Sequence, residues 1–151
     1  MAGIRFGYAG AEISVSTVTK TLFQLLAAAN HRVRVERISI AGKSVDATDA
    51  PVLFQLLWQT SAGSGGSAPE LNKLDEDATE TLQASALENI TSEPSDGGVI
   101  LWSKLISPLS TYDLVFPPMR ELYVPGGTRL GVRAVTPADA NTFVVSGQFE
   151  E

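Results

Sequence analysis

No cysteine occurs in the 151 residues, and histidine occurs once, at position 31. The first absence excludes disulfides and thiolate metal sites and leaves the redox compartment open. The second removes most chemistry that depends on imidazole. A zinc site takes three or four His, Cys or carboxylate ligands, and serine-type catalysis needs a base, usually His, oriented by a carboxylate. His31 lies in Asn30-His31-Arg32, at a loop-to-strand boundary, and no Gly-x-Ser-x-Gly elbow is present. A surface or structural histidine is the ordinary reading. The glycine cluster Gly63-Ser64-Gly65-Gly66 lacks the following Lys-Ser/Thr of a phosphate loop, and Pro69 interrupts any helix that might start there. The pattern therefore calls for no catalytic residue, no cofactor and no metal.

Charge is also in short supply. Charged residues make up 19% of the chain, against roughly 25% in an average soluble domain, which is compatible with a protein packed against neighbours. The net charge of −6 repels phosphate backbones, so nucleic acid is not an expected partner. The one basic cluster, His31, Arg32, Arg34 and Arg37, holds Glu36 inside it. It reads as the solvent face of a strand, or as a contact surface for an acidic partner protein. Long apolar runs are missing too. Thr21–Ala29 and Val52–Trp58 fall well short of the roughly 18 residues of a membrane span, and each contains Gln. No basic-then-apolar leader is visible, so the expectation is a chain made in the cytoplasm, with no membrane partner.

What is present is a core and a rhythm. Hydrophobic residues are 44%, and a chain of this length buries roughly 70% of its unfolded surface as one domain, here 1–151. Period-two alternation recurs. Ile4, Phe6 and Tyr8 share a side, and Ile13 and Val15 resume the pattern after Ala9-Gly10. Val33 and Val35 are followed out of phase by Ile38 and Ile40, which calls for a bulge at Glu36-Arg37. Val52, Phe54, Leu56 and Trp58 form one face of a strand whose other face carries Leu53 and Leu57, so it should be covered on both sides. Leu82–Ala86, Val99–Ile106, Leu122–Val124, Leu130–Val132 and Phe143–Phe149 continue in kind. Eight to ten short strands separated by Gly, Pro, Asn and Asp turns predict an all-β antiparallel sandwich or barrel. Val18–Asn30, with Leu22, Phe23, Leu25, Leu26 and an Ala run, also admits one short helix. The echo of Leu-Phe-Gln-Leu-Leu at 22–26 and 53–57 is read as coincidence.

Two features remain. The connection Ser61–Asp77 is long, begins Gly/Ser-rich and ends Asp75-Glu76-Asp77; such loops are often functional or mobile. Its carboxylates, with Glu70 and Glu80, lack the spacing of a calcium loop and the rigid setting of a glycosidase pair, so a solvated loop is expected. Trp58, Trp102, Tyr112 and Tyr123 could form a sugar-stacking platform. Trp58 shares the face of Phe54 and Leu56 and belongs to the core, which leaves Trp102 as the candidate surface aromatic.

Ser64-Gly65-Gly66-Ser67-Ala68-Pro69 after a strand, Glu121-Leu122-Tyr123-Val124-Pro125, Thr128-Arg129-Leu130 and the closing strand Phe143–Glu151 resemble a group of small proteins of bacterial and phage genomes. The resemblance runs from Val52 onward and carries no catalytic residues. Jelly-roll-like sandwiches of this size resemble phage head-decoration (cement) proteins, which implies by fold-level analogy a non-enzymatic virion protein. Its partners would then be a major capsid protein and other copies of itself, in a homo-oligomer such as a trimer. Expected assembly contacts are Ile4, Phe6 and Tyr8 of a terminal strand that can join another subunit's sheet, the Ser61–Asp77 loop, and Pro117, Pro118 and Met119. A carbohydrate- or receptor-binding module and a self-assembling filament or tube subunit are the alternatives.

Overall fold

Backbone pairing turns an alternation of apolar and polar residues into a sheet with one dry and one wet face. The computed structural model describes residues 3–43 and 50–151. Among them are eleven strands. The first six are β1 (Arg5–Val15), β2 (Lys20–Leu26), β3 (Val33–Gly42), β4 (Val52–Gln59), β5 (Leu71–Lys73) and β6 (Ser85–Glu88). The others are β7 (Asp96–Ile106), β8 (Thr111–Val115), β9 (Leu122–Val124), β10 (Arg129–Val135) and β11 (Asn141–Glu150). One antiparallel sheet runs β5-β1-β11-β3-β8, with β9 also paired to β3; the other runs β6-β2-β10-β4-β7. The chain is thus an all-β antiparallel sandwich, as the alternation predicts. Leu122–Val124 is β9, as expected; among the strands that the alternation does not announce are β5, of three residues, and β8.

The short helix admitted over Val18–Asn30 does not form, and no helix occurs among the described residues. That segment contains β2, in which Thr21 to Leu25 are all buried. Val132 pairs with Phe23 and Arg133 with Thr21, so Leu22 is an inserted bulge residue. β2 lies between β6 and β10. A strand covered on both faces reads as an unbroken apolar run, which periodicity cannot separate from a buried helix.

The phase slip in β3 is a bulge. Gln148 pairs with Arg37 and Phe149 with Val35, which leaves Glu36 as the extra residue and keeps Val33, Val35, Ile38 and Ile40 all inside. A bulge in β1, where Ala9 pairs with Ser146 and Glu12 with Val144, shifts the buried set from Phe6 and Tyr8 to Ile13 and Val15. Between the sheets, aromatic rings bind the layers. Phe23 of one sheet stacks on Tyr8 at 4.2 Å and on Phe149 at 5.9 Å in the other, and Phe54 meets Phe143 edge-on at 4.8 Å. Each such pair adds roughly 0.5–1.5 kcal/mol to the burial of its area.

Candidate interaction surface

β7 is the last strand of its sheet and β8 the last of the other, so each leaves one side of its backbone unpaired. Trp102 of β7 stacks on Tyr112 of β8 at 5.5 Å, which ties the two strands into one margin, and the Lys104 ammonium lies 4.0 Å from the Tyr112 ring centre. Trp102 is half-buried, with one ring face stacked on Tyr112. The wet side of this margin is apolar. Of the ten large hydrophobic side chains exposed among the described residues, seven fall within 99–119: Val99, Ile100, Leu101, Leu105, Leu109, Val115 and Met119. Leu105 is 63% exposed and Val115 59%. Charges, not leucines, normally guard an edge strand.

In the sequence, Val99–Ile106 is apolar on both sides and looks like a covered strand. Its exposure was signalled only by the interleaved Ser103 and Lys104 and by the flanking Ser95-Asp96-Gly97-Gly98. Pairing with β4 is irregular. Leu56 and Leu57 oppose Trp102 and Ile100, and Leu57 and Gln59 oppose Ile100 and Asp96, so β7 carries extra residues at both places. Bulges twist an edge and discourage further strand addition.

The expected contact residues divide. Phe6 and Tyr8 are core residues, and β1 is already paired on both sides there, with β11 and with β5. A strand held this way has no free edge at Phe6–Tyr8, so these two side chains are placed in the interior and not on a contact surface. Ile4 is half-buried and its backbone exchanges both hydrogen bonds with Glu151. Pro117, Pro118 and Met119 lie in the open, Met119 at 94%. The Arg120 N–H donates to the Pro117 carbonyl at 3.0 Å, and Met119 holds φ 73°. This is a tight turn in which a glycine is the usual occupant of that position.

The Ser61–Asp77 connection is pinned down. Bridges join Ser64 to Ser92 and Ser67 to Glu88, and a buried polar network holds the turn at Gly63. Gln24 Nε2 donates to Gln59 Oε1 at 2.7 Å and to the Ser61 carbonyl, while the Gly63 N–H donates to Gln24 Oε1. Gln59 Nε2 donates to Thr21 Oγ1, and Thr21 donates through both N–H and hydroxyl to Glu93. Nothing in the spacing of Gln24 and Gln59 announces this network; two glutamines inside otherwise apolar strands were the available signal. The acidic residues Glu70, Asp75, Glu76, Asp77 and Glu80 are all exposed, and no group of three metal-ligating side chains is found among the described residues.

The sole histidine does face an acid. His31 Nδ1 stands 3.7 Å from Glu151 Oε1; the Glu151 side chain is 3% exposed and that of His31 41%. Glu151 Oε2 accepts from the N–H groups of Gln83 and Ala84. No hydroxyl is hydrogen-bonded to His31 among the described residues, so the pair lacks the nucleophile of a catalytic triad. It can hold a proton or a cation. Elsewhere the basic cluster is spent on ion pairs: Arg34 meets Glu36, Glu121 and Glu150, Arg5 also meets Glu36 at 2.8 Å, and Arg37 meets Asp113 at 2.7 Å. Arg32 lies 4.6 Å above the Tyr123 ring. The Ser39 and Arg37 hydrogen bonds hold the Asp113 carboxyl below its usual range. Arg133 and the Gly98 N–H do the same for Asp96. Burial, then the hydrogen bond to Glu88, push the Tyr8 phenol well above its usual range.

No protein family, curated protein or solved structure matches the chain significantly.

Proposed function

We propose that this chain is a non-enzymatic assembly subunit, of the kind that decorates or cements a virion shell, and that neighbouring copies meet along the β7–β8 margin. The observation that carries this reading is the concentration of exposed large apolar side chains in 99–119. An apolar patch on the surface of a domain marks an interaction site, and burying it contributes roughly 25 cal/mol per Å² before association costs are subtracted.

The strand order supports a jelly-roll-like reading. Setting aside the short β5, β6 and β9, the remaining strands alternate between sheets as the chain proceeds, except that β4 and β7 are neighbours in one sheet. Frames of this type are frequent in viral capsid domains, an analogy at the level of fold. The bulges of β7 favour side-chain packing that closes into a discrete oligomer, such as a trimer, over open-ended strand addition into a filament. The stack that occupies Trp102 disfavours a sugar platform.

Light scattering on the purified chain tests the reading. A discrete oligomer of fixed mass supports it. Masses that grow without limit as concentration rises favour the filament subunit, and a monomer at every concentration that retains a glycan on an array favours the binding module.

A further inference from the structure

The strand order ends in β5 and β8 on one sheet and in β6 and β7 on the other. β5 and the side strand β9 are three residues each. β6 is met on its open side by Ser67, which exchanges both backbone hydrogen bonds with Glu88. β7 carries extra residues. β8 differs from all of these: its register against β3 is unbroken, and Thr111–Val115 includes no proline and no lysine. Which of its backbone groups are free follows from the ends of the ladder. The Gly42 N–H donates to the Ser110 carbonyl and the Phe116 N–H to the Glu36 carbonyl, both at 2.9 Å. In an antiparallel pair, residues that bond across alternate with residues that do not, so Ser110, Tyr112, Leu114 and Phe116 face β3. The N–H and carbonyl of Thr111, Asp113 and Val115 therefore point off the sheet, and no described residue bonds to those groups. The side chains of the same three residues are exposed. Asp113 is a weak guard against strand addition, because Arg37 at 2.7 Å already offsets its charge.

We propose that β8 is the assembly edge, and that it takes the β8 of a second copy of this chain, antiparallel about a two-fold axis at Tyr112. The inference rests on the assembly reading above and deepens it by naming the strand and the partner. Only the outward residues can bond across such a seam, so the registers are few. Setting Asp113 against the partner's Asp113 opposes like charges. Setting Val115 against the partner's Val115 or Asp113 brings Pro117, which has no N–H, to the seam. Setting Thr111 against the partner's Thr111 leaves Asp113 opposite the 107–110 turn. The axis at Tyr112 remains. Thr111 then exchanges two backbone hydrogen bonds with the partner's Asp113, and the reverse pair does the same. The Thr111 hydroxyl donates to the carboxylate opposite, and Val115, 59% exposed, comes opposite the partner's Leu109, a position 52% exposed. Identical edges use each other up, so growth stops at a pair and not at a trimer, with two sheets joined into one. The Trp102–Tyr112 stack binds β7 to β8, so the bare leucines of both β7 strands come to the same margin of the pair.

Residue-resolved amide exchange by NMR on the full chain reads the seam directly, in a dilute and a concentrated sample whose masses are fixed by light scattering. The Thr111 and Asp113 amides face solvent in one molecule and should exchange at least about tenfold more slowly in the oligomer. The Tyr112 and Leu114 amides, bonded to β3, should be slow in both samples. Thr111→Pro removes one outward N–H per copy without touching the β3 ladder, as proline on a free edge allows. It should keep the parent's urea midpoint in the dilute sample and pair with its own copy at least roughly tenfold more weakly. Thr111→Val keeps that N–H and should pair more tightly than Thr111→Pro. An oligomer whose Thr111 and Asp113 amides still exchange fast would overturn this inference and leave the assembly reading standing; a monomer at every concentration would remove both.

Discussion

The three middle strands of one sheet and its β7 edge behave differently. Around β2, β10 and β4 the outer side holds Thr21, Gln24 and Gln59, all buried, and the chain folds the 61–68 and 89–95 segments back to meet them. At β7 the outward side chains are Val99, Ile100, Leu101 and Leu105, and no segment among the described residues covers them. The polar middle is closed by the chain's own backbone, since a buried amide left without partners is costly. The apolar end costs little to leave bare in one molecule and gains much when another molecule covers it. Polar residues inside these strands accompany an internal cover, and the apolar residues on the open edge are left bare among the described residues.

The sharpest way to break the covered middle is Gly131→Ala. A Cβ there would lie 2.4 Å from the Gln59 side chain, so the amide must move and Gln24 and Thr21 lose their partner. A loss of about 2–4 kcal/mol is expected, seen as a lower urea midpoint, and an unchanged midpoint would remove the network from the account. Next comes Tyr8→Phe, which deletes the hydroxyl that donates to the buried Glu88 carboxylate at 2.6 Å. About 1–3 kcal/mol should go, with no change in assembly, because Tyr8 lies in the interior.

Acid sharpens the comparison at the open end, since Asp96 at the start of β7 is held by Arg133 and the Gly98 N–H. Its folded pKa is lowered, so its contribution is present above the unfolded value of about 3.9 and is lost as pH falls through the folded value. Urea midpoints of Asp96→Asn and the parent should differ near pH 7 and converge in strong acid; a constant difference would contradict the sign. Met119→Gly has the smallest effect on folding. Relief of the left-handed backbone should add up to about 1 kcal/mol, while loss of the exposed side chain weakens association measured by light scattering.

Much of the sandwich is legible in the residues. The phase change between Val35 and Ile38 locates the Glu36 bulge because a single inserted residue must invert every later side chain. β2 is not legible as a strand, because cover on both faces erases the alternation that identifies one. The exposed apolar margin is harder still to read. An apolar residue at an edge and one in a central strand look the same in sequence, so Phe6 and Tyr8 read as contacts of a terminal strand, while only Ser103, Lys104 and the flanking Ser95-Asp96-Gly97-Gly98 hint that Val99–Leu105 is exposed. Topology alone decides which strand is last. Pro117, Pro118 and Met119 were legible, since a turn rich in proline has nowhere to go but the surface.

The central claim rests on the mass of one variant. Leu101→Asp combined with Leu105→Asp places two charges on exposed positions of β7, where folding stability should change by no more than about 0.5 kcal/mol per site. By sedimentation equilibrium the parent should be a discrete oligomer and the double variant a monomer with the parent's urea midpoint. A double variant that keeps the parent's mass would contradict the assignment of this margin as the assembly surface.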